Sequence, residues 1–227
     1  MYDSPLWAQF CGGTLISEKH VLTSAWCATY ANYYTLYVHL GDTILGNEFD
    51  VIFTKTLAVV QWNIHPDYVD QYPFNTNNIA ILEMEEAVPL NQYPNIKPAC
   101  LPDQGADFVG NTATVLGWGS ANNVNYEFNS WLHELQVTVF ADEECATLTP
   151  SELCAGTQGS EAPCYRDDGG PLLVSDSNVN NNGLTLAGIL GYSDCANSFQ
   201  TYTKVSLYSD WINGIIGGAA TCPPPPT

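Results

Sequence analysis

Short runs of apolar and polar residues alternate along most of the chain, and clusters of asparagine, glycine, proline and serine separate them. Runs of about five to eight residues with β-branched or aromatic side chains predict strands. These runs lie within YYTLYVHLG, FDVIFTKTLAVV, IAILEM, TATVLGWG, LHELQVTVF, GLTLAGILGY and TYTKVSL. Many strands at even spacing predict an all-β architecture, either antiparallel barrels or a sandwich.

One segment near the end, LYSDWINGIIGG, has helical periodicity. Leu207, Trp211, Ile212 and Ile215 recur at the spacing that places side chains on one face of a helix, and the glycine pair that follows predicts its end. The tail TCPPPPT predicts a stiff polyproline-II segment outside the core.

Length and composition indicate a folded protein. The 227 residues, of which 45% are hydrophobic, suit one or two domains with a sizeable core. No apolar run approaches the ~20 residues of a transmembrane helix. The N-terminal MYDSPLWAQFCGG has neither a basic region nor a long apolar region, so we interpret it as a mature, trimmed or recombinant start rather than a signal peptide.

The charge of the chain is strongly negative, with 5 Lys+Arg against 24 Asp+Glu and a net charge of −19. Nucleic-acid binding needs a basic surface, and docking on anionic membranes needs one too, so neither partner is expected. A cationic partner and simple solubility are the two interpretations of the charge, and the scattered placement of the carboxylates favours solubility.

Eight cysteines are spread along the chain without a C-x-x-C pair, and the four histidines stand at no metal-ligand spacing from them. This pattern indicates disulfides in a secreted, extracellular protein. No metal site and no cofactor are expected.

An ordered set of short motifs resembles the chymotrypsin/trypsin (S1) family of serine proteases. The motifs are CGGTLISEKHVLTSAWC, IHPDY, NNIAIL, KPACLP, LGWGS, ELCAG, DDGGPLL and YTKVSLYSDWI. The resemblance covers nearly the whole chain and implies two perpendicular six-stranded antiparallel Greek-key barrels with a cleft between them and a C-terminal α-helix. It divides the chain into an N-terminal barrel at 1–100, a C-terminal barrel with the helix at 101–216, and a Pro-rich tail at 217–227.

The resemblance also implies how the cysteines pair. It matches three family bridges, and it leaves two cysteines whose pairing across the back of the molecule is the less certain fourth bridge; a bond from Cys222 to another chain is the alternative. The expected pairs are Cys11–Cys27, Cys145–Cys154, Cys164–Cys195 and Cys100–Cys222.

The family works with a serine nucleophile, a histidine base and an orienting aspartate, and this chain departs from all three. Trp26 stands where the histidine is expected, and an indole has no basic nitrogen. Asn78 replaces the aspartate before IAIL, and Asp168 replaces the serine before GGP. In a related triad, losing the nucleophile or base alone lowers the rate by about a millionfold, so the resemblance implies an inactive homologue.

The surroundings of the triad positions differ as well. Arg166 stands where the family has a glycine that donates to the oxyanion, and its side chain is expected to push that peptide out of shape. Ala162 lies near the expected basal aspartate of a trypsin-like specificity pocket. Gln200 replaces a wall glycine, and the substrate-binding Ser-Trp-Gly becomes residues 191–193.

In the family the aspartate at the position of Asp167 pairs with a freed N-terminal amine. Without that partner, Asp167 is expected to find another donor, to have a raised pKa, or to become exposed. We interpret Asp168 as a relic position. New carboxylate chemistry and a weak cation site at Asp167 and Asp168 are the alternatives, but two adjacent carboxylates supply neither a glycosidase pair nor enough metal ligands.

Three functions are left open by the sequence. The favoured one is a secreted, non-catalytic homologue that binds another protein, a protease or other secreted enzyme, as a regulatory cofactor, decoy or inhibitor. A structural matrix protein and an enzyme with altered carboxylate chemistry are the others. Trp26 is expected to plug the old cleft with Arg166 and Gln200, and the alternative is an exposed aromatic anchor for the partner.

Overall fold

The computed structural model of the chain describes residues 2–3, 8–46, 53–71, 75–120, 130–145, 148–157, 159, 161–175, 183–192, 195, 199–219 and 222. Ser193 and the proline run of the tail, which carried predictions above, lie outside the described residues.

The first half of the chain forms an antiparallel, curled sheet with the strand order β2-β1-β5-β6-β7-β4-β3. Its strands are β1 Tyr2–Asp3, β2 Ala8–Gln9, β3 Thr14–Leu15, β4 His20–Thr23, β5 Leu36–Leu40, β6 Lys55–Ile64 and β7 Ala80–Met84. A five-residue helix, α1 Ala25–Thr29, follows β4 at once.

The second half forms a closed six-stranded barrel with the order β10-β13-β12-β11-β8-β9. Its strands are β8 Thr112–Gly117, β9 His133–Phe140, β10 Glu152–Gly156, β11 Pro171–Ser175, β12 Leu184–Tyr192 and β13 Phe199–Lys204. The predicted fold class of two barrel-like halves with a C-terminal helix is therefore confirmed. In the described residues the first half is a curled seven-stranded sheet and only the second is closed.

Neighbouring side chains on β7 belong to two different cores. Ala80 and Leu82 pack into the core of the first half. Ile81, and Ile79 just before the strand, belong to a core shared with β11, β12 and the C-terminal helix. Because successive side chains of a strand point to opposite faces, an apolar run without alternation fits a strand that is buried on both sides. β7 is thus part of the wall between the two halves.

The C-terminal helix, α2 Ser209–Ile216, seals this shared core with Ile212 and Ile216. It ends at Gly217, whose φ of 62° is left-handed and whose N–H donates to the carbonyl of Asn213, as the glycine pair predicts. Leu207 was wrongly included in the buried face, since it lies before the helix in a 3-10 turn and is exposed.

Several short elements were not predicted from the pattern: β3, β4, β10, β11 and α1. They contain two to five residues each, which leaves little length for a period of 2.0 or 3.6 to be recognised. The predicted strand in FDVIFTKTLAVV also begins later and runs further, as β6.

Four disulfides link the described residues in the pairs that the resemblance implies: Cys11–Cys27, Cys100–Cys222, Cys145–Cys154 and Cys164–Cys195. Cys222 thus pairs within the chain. Cys100 lies in the connection between the halves, where its N–H donates to the carbonyl of Leu184. The boundary at residue 100 stays a prediction. No helix in the described part of the chain is long and apolar enough to cross a membrane.

We predict that Cys100→Ala/Cys222→Ala lowers the free energy of unfolding more than Cys145→Ala/Cys154→Ala does. The first bridge spans 122 positions of the chain and the second spans 9. Loop-closure entropy gives contributions of about 5 and about 2.5 kcal/mol for loops of these lengths. Urea unfolding of both double variants measures the difference. The pairs are matched because each contains one fully buried cysteine, and equal losses would contradict the entropic account.

Candidate functional site

The structure brings the three predicted triad positions together where the two halves meet. Trp26 lies on α1, whose first turn is capped by the Ser24 hydroxyl accepting from the N–H of Cys27. The backbone N–H of Trp26 donates to Oδ1 of Asn78 at 3.0 Å. Asn78 is 2% exposed and lies just before β7. The amide oxygen therefore holds the helix that carries Trp26 against the strand wall.

Asp168 reaches the same place from the second barrel. Its carbonyl oxygen accepts from the N–H of Gly12 at 2.8 Å and lies 3.4 Å from Sγ of Cys27, the neighbour of Trp26. Its side chain is buried. The close approach depends on glycine: a Cβ on Gly12 would lie 2.7 Å from Cα of Gly170, and one on Gly169 would lie 2.3 Å from the Thr23 hydroxyl oxygen.

The three positions carry an indole, a primary amide and a carboxyl group. The indole of Trp26 is half-buried, packs on the core of the first half and meets Tyr30 edge-on with ring centroids 5.3 Å apart. It has no nitrogen that can accept a proton. The Nδ2 group of Asn78 is a buried donor without a hydrogen-bond partner in the described structure, whereas a triad needs a negative charge at this point.

The contacts that the structure gives for the histidines are with residues other than Trp26, Asn78 and Asp168. His39, for example, lies between the hydroxyl of Thr56 at 2.5 Å and the carboxylate of Asp42 at 3.0 Å. His39 and Thr56 are paired across β5 and β6, and Asp42 also accepts from the N–H of Ile44. These contacts of Thr56, His39 and Asp42 therefore stabilise the end of the β5–β6 pair. His20 contacts Ser17, His65 contacts Tyr208 and Trp211, and His133 lies on β9.

Arg166 adopts a backbone conformation that favours glycine. Its φ is 77°, in the left-handed region, and its carbonyl accepts from Nε2 of Gln9 at 2.8 Å. The expectation that the side chain pushes this peptide out of the family's shape stays a prediction. Partial burial lowers the pKa of the guanidinium, which still stays charged at neutral pH.

The remaining specificity positions lie in or beside the second barrel. Gln200 is buried on β13, and Ala162 lines a cavity described below. A Cβ on Gly191 would lie 3.7 Å from Nδ2 of Asn78. The choice between Trp26 as plug and as anchor stays a prediction, since the residue is neither fully buried nor exposed.

Asp167 points away from Asp168, into the second barrel. Its Oδ1 accepts from the N–H of Gly119 at 2.8 Å and its Oδ2 accepts from the N–H of Cys164 at 2.9 Å. A Cβ on Gly117 or Gly119 would lie within 2.5 Å of the carboxyl group, so both must be glycine for it to fit. Burial raises the pKa of Asp167 to about 6, against the lowering effect of the two N–H groups and of nearby His133. Two of the sequence expectations, a new donor and a raised pKa, are thus met.

The carboxyl group of Asp167 borders a cavity of about 410 Å³ at one end of the second barrel. Tyr202 of β13 also lines the cavity, and its buried hydroxyl has no hydrogen-bond partner in the described structure. Nothing in the sequence singled out Tyr202, because a tyrosine in a strand is ordinary. Only its position beside a buried carboxylate makes it notable.

We predict that Arg166→Gly is more stable than Arg166→Ala by about 1 kcal/mol. A non-glycine residue in the left-handed region costs about 1–2 kcal/mol, and glycine avoids that cost while losing some of the gain to its freer unfolded state. Both variants remove the arginine side chain, so the comparison isolates the backbone effect. Chemical denaturation measures it, and an alanine variant as stable as the glycine variant would show that the strain is absent.

We predict a pH-dependent difference between wild type and Asp167→Asn. A folded pKa raised from 3.8 to about 6 means that the folded state binds this proton more tightly than the unfolded state. Wild type therefore loses stability as the pH rises from about 4 to about 6, by about 3 kcal/mol at 1.36 kcal/mol per pKa unit. The Asp167→Asn variant has no carboxyl group at this position, so its free energy of unfolding does not fall for this reason over the same pH range.

The measurement is the difference in unfolding free energy between the two proteins from pH 4 to pH 7. The lowered pKa values of His20 and His65, caused by burial, act on both proteins and cancel. A difference that stays constant with pH would mean that the pKa of Asp167 is not raised by folding.

Comparison with known proteins agrees with this architecture. The sequence model of the Trypsin family matches residues 2–212. A venom serine protease of Bombus ignitus, Bi-VSP, is 34% identical over 223 residues, which cover 91% of this chain and 58% of that protein. The chain thus spans little more than half the length of this relative.

Two solved structures share the fold. Neuropsin, a serine protease expressed in the limbic system of mouse brain, superposes with a TM-score of 0.76 at 25% identity, covering 91% of this chain and 89% of that chain. Human heparin binding protein superposes with a TM-score of 0.74 at 25% identity, covering 96% and 89%. The family match, the relative and the two-barrel fold lead to one conclusion: this chain belongs to the trypsin family of serine proteases.

Proposed function

We propose that this chain is a secreted, non-catalytic member of the trypsin family that acts by binding another protein. The observation that carries the proposal is the convergence of Trp26, Asn78 and Asp168. An active triad would need an imidazole, a carboxylate and a hydroxyl at these three positions. Here they carry an indole, a neutral amide and a buried carboxylate.

Each substitution removes a different step of acyl transfer. Asp168 lacks the hydroxyl that attacks the carbonyl, and a carboxyl group is not placed to stabilise a developing oxyanion, which needs hydrogen-bond donors. Trp26 can donate a hydrogen bond but cannot take up a proton. Asn78 would leave an imidazolium without its counter-charge. Replacing one of the three residues by the family's residue is therefore not expected to give catalytic activity, because members of a triad act as a unit.

The four disulfides and the venom relative support a secreted protein. Human heparin binding protein has this fold and a name that describes binding. Heparin itself is a polyanion, which a chain of net charge −19 would repel. We therefore expect a protein partner, and neither nucleic acid nor membrane; a cationic surface on that partner is the alternative that the charge leaves open beside simple solubility.

Exposed aromatic side chains offer a binding surface beside the old cleft. Tyr33 is 81% exposed and Tyr34 is 45% exposed, in the segment that follows α1. They follow Tyr30, whose ring meets Trp26 edge-on and Phe10 at a tilt. Rigid aromatic rings lose little entropy on binding and are enriched at protein interfaces.

The two other functions have less support. A structural matrix protein would need no such surface. A metal-dependent or glycosidase-like use of the carboxylates lacks its geometry, since Asp167 is turned into the second barrel. In the described residues, no group of three or more His, Cys, Asp or Glu side chains is placed to hold a metal ion.

We predict no amidase or esterase activity and no labelling by a fluorophosphonate, which reacts with activated serines. A peptide library and several ester substrates are used for the assay. Trp26→His/Asn78→Asp/Asp168→Ser is the matched comparison, and it shows whether the scaffold still supports chemistry once the groups are returned. Turnover by wild type that Asp168→Ala abolishes would overturn the proposal of a non-catalytic protein.

We predict that Tyr33→Ala/Tyr34→Ala loses capture of the partner from secreted fluid without a change in melting temperature, because both rings are exposed. Phe199→Ala is the control, since Phe199 is 44% exposed and packs on Phe140 of the second barrel. Capture by wild type should weaken as salt rises, because a charged interface is screened. If the tyrosine double variant captures as much partner as Phe199→Ala does, the two exposed tyrosines are not the binding surface.

A further inference from the structure

A second set of acid, base and hydroxyl side chains lies at the end of the β5–β6 pair, outside the three old triad positions. The imidazole of His39 has Nε2 3.0 Å from Oδ2 of Asp42 and Nδ1 2.5 Å from Oγ1 of Thr56. A base that contacts a hydroxyl on one side and is oriented by an acid on the other is the arrangement that activates serine and threonine nucleophiles. This Asp42–His39–Thr56 row therefore has a chemical capacity that the proposed binding function does not use.

The hydrogen-bond partners assign the tautomer of His39. A carboxylate can only accept a hydrogen bond, so Nε2 of His39 carries the proton that it donates to Asp42. In a neutral imidazole the other nitrogen is then an acceptor, and Nδ1 accepts from the hydroxyl of Thr56. The lone pair that would take up the threonine proton therefore already faces it.

A backbone contact orients the carboxylate of Asp42. Its Oδ1 accepts from the N–H of Ile44 at 2.9 Å, while its Oδ2 faces His39. The two oxygens thus have separate partners, one in the backbone and one in the imidazole. A carboxylate held in this way keeps the ring of His39 in one orientation, which is the role of the acid in a triad.

The turn that carries Asp42 is itself fixed by neighbouring chain. Gly41, just before it, has a left-handed φ of 81°, and a Cβ there would lie 2.3 Å from the carbonyl oxygen of Phe53. Nδ2 of Asn95 donates to the carbonyl oxygens of both Gly41 and Phe53 at 3.1 Å. The row is therefore ordered without a ligand, and groups that are already in position react without first losing conformational freedom.

Exposure rises along the row from the acid to the hydroxyl. The side chains of Asp42 and His39 are 7% and 21% exposed, and Thr56 is an exposed residue of β6. The shielded carboxylate can stabilise an imidazolium, because attraction between opposite charges grows where water is excluded. The hydroxyl at the other end is open to reagents from solvent.

We propose that Thr56 is a reactive hydroxyl that small, neutral activated esters acylate, with His39 as the general base and Asp42 as its positioning residue. Oγ1 of Thr56 attacks the ester carbonyl carbon, and Nδ1 of His39 takes up the hydroxyl proton. The bond from that carbon to the leaving oxygen then breaks, and the leaving oxygen receives the proton from Nδ1. The products are an O-acylated Thr56 and a free phenol or alcohol.

The reaction ends after one acyl group per chain. The first step expels a weakly basic aryloxide, whereas hydrolysis of the product would expel the strongly basic threonine alkoxide, for which oxyanion donors are needed. Thr56 is thus a modification site and gives no esterase turnover. Its β-branched hydroxyl is also more hindered toward a tetrahedral phosphonate than toward a flat acetyl group, so the expectation for fluorophosphonates is unchanged. The inference does not depend on protein binding at the old cleft.

The test is incubation of the purified wild-type chain with p-nitrophenyl acetate, followed by peptide mapping with mass spectrometry. Thr138 is the internal control, because it is exposed on β9 and its cross-strand partner is Thr112 and not a histidine. We expect Thr56 to be acetylated about a hundredfold faster than Thr138, at the lower end of what general-base catalysis contributes. Equal rates at the two threonines would overturn the proposal, and this comparison needs no variant.

Hydroxylamine distinguishes this modification from the acetylation of amines. Lysine side chains also react with aryl esters, but they form amides, which neutral hydroxylamine leaves intact while it cleaves esters. We expect hydroxylamine to remove the acetyl group from Thr56. A label found on Lys55, the preceding residue, with none on Thr56 would show that the amine is the reactive group, and the proposal would be wrong.

A variant of His39 tests the base. His39→Gln keeps a polar side chain that can hydrogen-bond to Thr56 but has no group that takes up a proton. We expect it to slow the acetylation of Thr56 about a hundredfold and to leave that of Thr138 unchanged. Acetylation of Thr56 at the wild-type rate in this variant would overturn the role of His39 and the proposal with it.

Asp42 acts through His39, so its test needs a readout that a purely structural residue would not change. Asp42→Asn keeps a hydrogen-bond acceptor but loses the charge that stabilises an imidazolium, and we expect it to slow the acetylation of Thr56 about tenfold. Asp42→Glu returns the charge and should recover part of the rate. Urea unfolding gives the stability of both variants. A rate that follows their stability and not the charge at position 42 would overturn the role proposed for Asp42.

Discussion

The contact between two glycine-containing turns is the constraint on which this site depends. Gly12 precedes β3 in the first half, and Gly169 and Gly170 precede β11 in the second. Their backbones approach so closely that a Cβ on Gly12 would overlap Gly170. The hydrogen bond from the N–H of Gly12 to the carbonyl of Asp168 then fixes the loop of residues 166–170 against the first half. The positions of Asp168, of Arg166 and, through the turn, of Asp167 follow from this contact.

The two-sided wall between the halves positions the other part of the site. β7 presents alternate side chains to two cores, so Asn78 at its start is held between them. Its amide oxygen reaches α1 and its backbone carbonyl accepts from the Thr203 hydroxyl of the second barrel. A residue tied to both halves can change its chemistry, from carboxylate to amide, without changing its place. The place of Asn78 is therefore set by contacts with both halves and does not require a charge on its side chain.

The sequence predicted the fold class, the longer strands and the helix end, because these depend on patterns of many residues or on one glycine with a clear role. It also identified the places of Trp26, Asn78 and Asp168, since each is flanked by residues of fixed type. It failed where the answer depends on contacts distant in sequence. The φ of Arg166 is imposed by its loop, and the inward turn of Asp167 is permitted by Gly117 and Gly119, about fifty residues earlier. Short strands such as β3 form because a longer neighbour pairs with them.

Arg166 shows a wider consequence of this arrangement. Its loop has a shape that favours glycine although an arginine occupies the position, so the surrounding frame, and not the residue itself, sets the shape. A frame of this kind lets substitutions accumulate one at a time, with each intermediate sequence still folding to nearly the same backbone. Members of a family that differ at such positions are then separated by many tolerated single steps and not by a passage through unfolded forms. The route is open in the reverse direction too, and a scaffold of this type is a sound starting point for installing new chemistry.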